Sequence, residues 1–485
     1  MPWLLLLFAC REPVIEVIPG VSTALEVVVT NPTSCPACDA FRDVDTLRLD
    51  ISMGDVVVAS DTFAYPDEAV TLPDLADFGV IRITLLGLAE GRVLSAGRTA
   101  EIVLVPDAEL SVPLVFLPVN RALALDAPML TDRSRHVALT RRDGSVVLIG
   151  GVDPQGERAT ATTERFDPTL GTFAEFSAYA SPAVASPVAA VLDGGDTLLV
   201  GGYALLAGAT VAVENASVFD DTLGTFSAIG SLSQGRNGHC VAMFRERQGI
   251  VLGGSAADSG GGADYLKPDG ESGEWGFIPL EMRDFDAAAV TGCAVLTDGS
   301  VYVQGSDAAS TGVWDGGDTE LDPAEAFFPM NEGNAGDFRY VSGGALFPTD
   351  DGSIRILGGA DVGTGAVYAD GRLYAPDAKR FVSVEGFGEP RFAPQIAPWI
   401  TPGWYAAGCG WTDSTRTAGE ATIELVSPVE GMSGPAIQLD RARPGCGLSV
   451  LLDGSILVTG GYEVGNTAVL DAALVVPYVD PAMGG

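Results

Sequence analysis

From about residue 118 onward the hydrophobic positions of this chain come in short, unbroken, β-branched runs, each stopped by glycine. "VVLIGG" ends at Gly151, "TLLVGG" at Gly202, "GIVLGG" at Gly254, "IRILGG" at Gly359 and "ILVTGG" at Gly461. "VYVQGS" places Ser306 at the second glycine, and "YAAGCG" interrupts the pair with Cys409. Runs of this length bounded by turn residues predict buried strands. "DGSVVLIGG" at 143–151 and "DGSILVTGG" at 453–461 are nearly the same nine residues, an Asp-Gly hairpin turn followed by a strand. The first glycines fall at 150, 201, 253, 305, 358, 408 and 460, at intervals of 51, 52, 52, 53, 50 and 52. Seven copies at a period near 50 residues signal a propeller or an array of stacked units.

Each repeat carries further strands in step. One precedes the hairpin ("RHVALT", "GHCVAMF", "GCGLSVLL"). Another follows the glycines and closes on a turn, as in "ERFDPTLGTF" (164–173), "SVFDDTLGTF" (217–226) and "RLYAPDAKRF" (372–381). A short apolar run completes four strands. One such sheet leaves a face bare, and radial stacking covers it. The Gly-Gly pair, an Arg and sometimes a His opening the first strand, and an aromatic-x-Pro turn after the third resemble the kelch repeat. The resemblance spans about residues 118–485 and implies a seven-bladed β-propeller. Such propellers are mostly binding scaffolds, and a minority are copper oxidases of the galactose oxidase type. The last repeat lacks a fourth strand, and "NRALALDAPMLTDRSRH" (120–136) supplies one without a blade of its own. Residues near Arg121–Asp126 are therefore expected to pair with 468–477 and close the ring. Ahead of it, 11–117 reads as short strands at regular spacing, a β-sandwich of the immunoglobulin-like or transthyretin-like kind. The expected fold is thus all-β, an N-terminal β-sandwich followed by a seven-bladed kelch-type β-propeller closed by an N-terminal strand.

The first ten residues, "MPWLLLLFAC", are an apolar run too short to span a bilayer. Residues 1–10 read as a signal segment ending in a sequence that resembles the bacterial lipobox, with Cys10 the lipidated residue. The chain is then expected to be exported and lipid-anchored at the outer membrane or cell surface of a bacterium. Seven cysteines fit that compartment, because removing Cys10 leaves an even six. Cys35 and Cys38 read as a local staple. Cys240 with Cys293, and Cys409 with Cys446, open or end strands of adjacent repeats and are the other candidate disulfides. The net charge of −37 over 485 residues excludes a nucleic-acid partner and docking on anionic lipid. Contact with a membrane is expected only through the lipid anchor, and the protein is expected to be a monomer.

Candidate chemistry is sparse. His136 and His239 are the two histidines, each fourteen residues before its glycine, so they read as repeat packing. A copper oxidase site needs two histidines with tyrosines, one of them linked to a cysteine; Tyr340, Tyr405 and Tyr462 are available, but the histidines occupy equivalent positions two repeats apart. Nucleophile elbow, P-loop, zincin and dinucleotide motifs are absent, as are sialidase Asp-box turns. Arg133, Arg236, Arg391 and Arg443 each precede their glycine by seventeen residues. They are a candidate anion or acidic-sugar ring, or else pair with carboxylates such as Glu164 and Glu424. Trp399 and Trp411, with Trp404 and Tyr405, are candidates for stacking on sugar rings, or else fill a core. The carboxylate-rich stretch 315–322 offers a weak Ca²⁺ candidate. No catalytic or metal-ligating set emerges and no cofactor is expected. The resulting expectation is a non-enzymatic cell-surface binding or adhesion module for a protein or polysaccharide. The alternative is an extracellular carbohydrate-active enzyme or galactose-oxidase-like copper oxidase.

Overall fold

The computed structural model describes residues 14–15, 23–35, 38–73, 79–105, 108–153, 158–177, 183–192, 194–206, 209–245, 247–254, 262–268, 275–282, 285–286, 289–307, 309–315, 322–329, 340–349, 351–375, 380–427, 432–434, 436–463 and 471–478. Cys10 and the signal segment lie outside them. The described chain is all-β and contains no α-helix.

Two sheets make the N-terminal unit. Val14–Ile15, Thr23–Thr30 and Ala108–Val115 form the first, with the last two strands parallel. Val56–Ala64, Thr46–Met53, Val80–Ala89, Arg92–Arg98 and Leu117–Pro118 form the second, and Ile102–Val103 pairs with Val80–Ala89. Inward residues alternate along each strand, so Leu25, Val27 and Val29 of one sheet meet Leu47, Leu49, Ile51, Ile83 and Leu85 of the other.

Seven antiparallel sheets follow, one per repeat, six of four strands and the sixth in chain order of five, where Ile437–Gln438 also pairs with Thr422–Ser427. Sheet 1 is Val137–Thr140, Val146–Ile149, Thr163–Asp167 and Thr172–Glu175. Sheet 2 begins at Val188–Val191, sheet 3 at His239–Arg245, sheet 4 at Val290–Val295, sheet 5 at Ala345–Pro348, sheet 6 at Gln395–Pro398 and sheet 7 at Gly447–Val450. Sheet 7 runs Gly447–Val450, Ile456–Thr459, Ala472–Val475 and then Ala122–Ala124. Its fourth strand comes from before the first repeat, with Ala122 opposite Val475, Leu123 opposite Leu474 and Ala124 opposite Ala473.

The repeated sequence has local causes. In the "DGS" hairpins the Asp143, Asp298 and Asp453 carboxylates accept hydrogen bonds from the backbone N–H and hydroxyl of Ser145, Ser300 and Ser455. The glycine pair sits where sheets meet. Gly151, Gly202, Gly359 and Gly461 donate to the carbonyls of Val184, Arg236, Arg391 and Arg133, each in the next sheet of the series, sheet 7 reaching sheet 1. The preceding glycine is squeezed by the same carbonyls. A Cβ on Gly201 would come within 2.8 Å of the Arg236 oxygen and one on Gly358 within 2.6 Å of the Arg391 oxygen, both at positive φ. Apolar side chains fill the same junctions. Val147 and Ile149 pack with Leu199 and Phe219 between sheets 1 and 2, and Leu148 and Phe166 pack with Leu457 and Leu474 between sheets 1 and 7.

The N-terminal unit packs on this last junction. Val115 and Leu117 share a core with Leu123, Leu148 and Leu474, and Asn120 exchanges hydrogen bonds with Tyr478. The Arg98 guanidinium lies over the Trp399 ring, whose Nε1 donates to the Gly454 carbonyl. These contacts are at the hairpin end of sheets 6 and 7 and leave the glycine end clear of them. Three disulfides are present: Cys35–Cys38, Cys240–Cys293 joining sheets 3 and 4, and Cys409–Cys446 joining sheets 6 and 7.

Candidate functional site

The four repeated arginines do not face solvent. Arg133, Arg236, Arg391 and Arg443 are completely buried. Arg133 reaches Glu164 at 2.6 Å, Arg236 reaches Asp264 at 2.8 Å, Arg391 reaches Glu424 at 3.3 Å and Arg443 reaches Asp471 at 2.8 Å. Further donors go to carbonyls, such as those of Gly150 and Thr162 for Arg133 and Gly253 and Gly262 for Arg236, and to the Thr162 and Thr422 hydroxyls, whereas the Nε of Arg133, Arg391 and Arg443 has no hydrogen-bond partner among the described residues. Each guanidinium is therefore an internal clamp, and of the two alternatives drawn from their spacing the pairing with carboxylates such as Glu164 and Glu424 is the one present, not an anion ring. The two tryptophans are also parted. Trp399 lies at the hairpin end against the N-terminal unit, and Trp411 lies at the glycine end.

Among the described residues, at the glycine end the chain enters the first strand of every sheet but the fourth through a left-handed residue. Arg135, Ser186, Gly238, Gly343, Ala393 and Gly445 have φ of 55°, 51°, 75°, 61°, 50° and 68°. Several are linked across sheets: Arg135 N–H donates to Gly445 O at 2.7 Å, Ser186 N–H to Arg135 O at 2.9 Å and Ala393 N–H to Gly343 O at 2.7 Å. Glycine, serine and alanine keep these positions small. Arg135 is the exception, a long cation held in the left-handed region that glycine favours.

Its side chain lies between two phenols. The Arg135 Nη1 donates to Tyr203 Oη of sheet 2 at 2.9 Å, and its guanidinium carbon is 5.9 Å from the Tyr462 ring of sheet 7. Tyr462 in turn packs against Trp411 of sheet 6 with ring centroids 5.2 Å apart, and Trp411 shares a cluster with Phe392. The Arg416 guanidinium covers Phe392 at 5.5 Å. The result is an arc of Tyr203, Arg135, Tyr462, Trp411, Phe392 and Arg416 along one side of the glycine end. Burial works against the Arg135 charge, but the Tyr203 and Tyr462 oxygens hold its pKa above the usual guanidinium range. Tyr203, Trp411 and Phe392 are buried within it and fill the core, so the half-buried Arg135 and Tyr462 are what the arc can turn to a ligand, as donors of hydrogen bonds to oxygens.

Arg135, Tyr203 and the pairing of Trp411 with Tyr462 escaped the sequence reading. One signal was available. Arg135 precedes its glycine by fifteen residues, where five other repeats carry Gly, Ser or Ala and the fourth carries Val290. The equivalence of Tyr203 and Trp411 was hidden by an added residue. Cys409 takes the left-handed position of a first glycine, with φ 62°, so Trp411 bridges Phe392 as Tyr203 bridges Ala185.

The histidines stand apart from the arc. His136 and His239 are buried at the sheet 7–1 and 2–3 junctions, and His136 Nε2 is 2.9 Å from Thr459 Oγ1. Desolvation, with the neighbouring Arg133 and Arg236 charges, lowers their pKa to about 3 and about 4. No cluster of metal-ligating side chains occurs among the described residues. The Ca²⁺ candidate at 315–322 lies mostly outside them.

No family model and no curated protein sequence matches the chain. Among solved structures it is similar to a fungal alcohol oxidase of the AA5 family with catalytic diversity, determined in complex with copper. The TM-score is 0.55 at 15% identity, over 73% of this chain and 76% of that one. This likeness is one of fold. It corrects three expectations. The assignment to kelch-type bacterial surface lipoproteins gives way to a fold shared with an AA5 oxidase. The non-enzymatic binding or adhesion reading, and the absence of a cofactor, are overturned by the same finding, since the neighbour on this scaffold is a copper-containing enzyme. The residues present nonetheless do not fit the copper set described above. Both histidines of the chain are packed in separate junctions, and every cysteine among the described residues is in a disulfide, so none is available to a tyrosine.

Proposed function

We propose that the chain is an exported enzyme acting on alcohols or carbohydrates at the glycine end of a closed seven-bladed β-propeller. The observation that carries this reading is the aromatic–guanidinium arc of Tyr203, Arg135, Tyr462 and Trp411, set on a scaffold similar to that of an alcohol oxidase. Ring closure is supported by three links between sheets 7 and 1: Gly461 N–H to Arg133 O, His136 Nε2 to Thr459 Oγ1, and Thr140 Oγ1 to Val450 O. Export is supported by the three disulfides, which persist in oxidising compartments.

The arc supplies binding and orientation through its half-buried Arg135 and Tyr462, whose guanidinium and phenol can donate to substrate oxygens, while Tyr203, Trp411 and Phe392 are buried beneath and fix their positions. Because the histidine–tyrosine–cysteine set is not assembled, no step is routed through copper.

The test is a turnover screen of the purified chain against primary alcohols, neutral glycans and acidic glycans. Products are followed by mass spectrometry and peroxide release, beside metal analysis of the protein. Turnover of at least one carbohydrate or alcohol, reduced in Trp411→Ala and retained in His136→Gln, is expected. Absence of turnover across the panel by folded protein overturns the enzyme reading. Loss of both bound copper and turnover in His136→Gln overturns the conclusion that the histidines are structural.

A further inference from the structure

The arginines of this chain fall into two groups. The four internal clamps each meet a carboxylate inside 3.4 Å, and the half-buried Arg141 meets Asp221 and Asp143 at 3.2 and 2.7 Å. Arg135 differs. It is partly buried at the glycine end, and, like Arg98 and Arg416, it meets no carboxylate within 4.0 Å among the described residues; its neighbours are the phenol rings of Tyr203 and Tyr462. In a chain with 64 acidic and 27 basic residues, a desolvated guanidinium walled by neutral aromatics marks a place from which carboxylates are kept away.

The backbone holds it there. Arg135 N–H and C=O are tied to sheets 7 and 2, and its stem lies against Gly445, where a Cβ would press on Arg135 Cγ at 3.3 Å and on Tyr462 at 3.8 Å. A guanidinium has five donors in a planar fork. The two phenol oxygens occupy part of that fork, and the rest can take an oxyanion in the bidentate manner that arginine provides. Next along the arc is the half-buried Tyr462, held in place by the buried Trp411 ring against which it packs.

We infer that Arg135 anchors a carboxylate of the substrate, and that the substrate class is an acidic, uronate-type carbohydrate. The inference rests on the proposed function only in taking the arc as the substrate site. The net charge of −37 repels an anion at long range. Physiological salt screens that repulsion beyond about 8 Å, whereas a desolvated contact is screened much less.

The test uses the full chain with trigalacturonate and with galactotriose, a neutral trisaccharide of the same size. Binding is read by calorimetry and by tryptophan fluorescence, and turnover is read separately. Trigalacturonate is expected to bind about tenfold to a hundredfold more tightly than galactotriose, the range of a hydrogen bond to a charged group. Arg135→Gln should abolish that preference, lowering trigalacturonate affinity far more than galactotriose affinity. Tyr203→Phe, which removes the oxygen that holds Arg135 and keeps the ring, should weaken the acidic ligand by a few-fold more than the neutral one. Equal affinity for the two sugars, or a preference that survives Arg135→Gln, overturns the inference even if neutral sugars are turned over. An Arg135-dependent acidic preference without turnover of either ligand upholds the anchor and overturns the enzyme reading instead.

Discussion

Replacing Arg236 by methionine tests the reading of the repeated arginines as internal clamps. Arg236 and Asp264 are both fully buried, with Nη2 and Nε at 2.8 and 2.9 Å from the same carboxylate oxygen. Nη1 donates to the Gly253 and Gly262 carbonyls at 2.8 and 2.5 Å, and the other Asp264 oxygen accepts from Ser233 N–H. Arg236→Met leaves a buried carboxylate with one hydrogen bond and two carbonyls with a donor removed. Breaking one side of a buried pair costs about 3–5 kcal/mol. Asp264→Leu strands the cation and should cost about the same. The double variant removes both charges, so it should be no less stable than Arg236→Met alone. The cycle would then show a coupling of about 3 kcal/mol, at the upper end for residues in contact. Urea unfolding followed by far-ultraviolet circular dichroism and by tryptophan fluorescence, with coincident transitions, provides the values. A cost below about 1 kcal/mol for Arg236→Met is what an exposed pair gives, and would refute the clamp.

Further expectations concern the junctions. His136 and His239 remain neutral in the fold down to about pH 3 and about pH 4, whereas the unfolded chain protonates them near 6.5. The unfolded state thus binds more protons below 6.5, so their contribution is complete above that pH and is lost as pH falls toward 4. The slope is about 1.4 kcal/mol per pH unit for each histidine, and His136→Gln/His239→Gln should flatten the stability profile over that window. Leu123 faces Leu474 in the strand that completes sheet 7 and is 5% exposed. Leu123→Ala should cost about 2–5 kcal/mol in urea unfolding, and a loss under about 1 kcal/mol would show that the strand contributes little. Cys240–Cys293 ties sheets 3 and 4 across 53 residues. Cys240→Ser/Cys293→Ser should lower stability by about 3–4 kcal/mol, and reduction with dithiothreitol should shift the parent's unfolding midpoint more than the variant's.

The seven-fold division was legible in the sequence because its cause is local. An Asp-Gly-Ser turn, a buried strand and a glycine pair each work within about twenty residues, and each leaves a mark at a fixed offset. The missing strand of the last repeat was legible for the same reason, since a strand count needs only the pattern, and Ala122–Ala124 fills it. The disulfide partners Cys409 and Cys446 could be proposed because repeat register places equivalent residues on neighbouring sheets. The fate of the charges was legible only in part. Glu164 and Glu424 could be named as partners of the repeated arginines, because each carboxylate lies on the third strand of the same repeat. Arg135 is two positions from Arg133, yet it lies between Tyr203 and Tyr462, and no partner could be named for it because both come from beyond its own sheet. Trp399 and Trp411 look like one aromatic patch in sequence, but the strand between them runs the height of the sheet and delivers them to opposite ends. Periodicity determined which residues form strands and how many sheets there are. Which side chains remain available for chemistry was decided only when neighbouring sheets closed over some of them and left Arg135 at the edge, since burial depends on contacts that no single repeat contains.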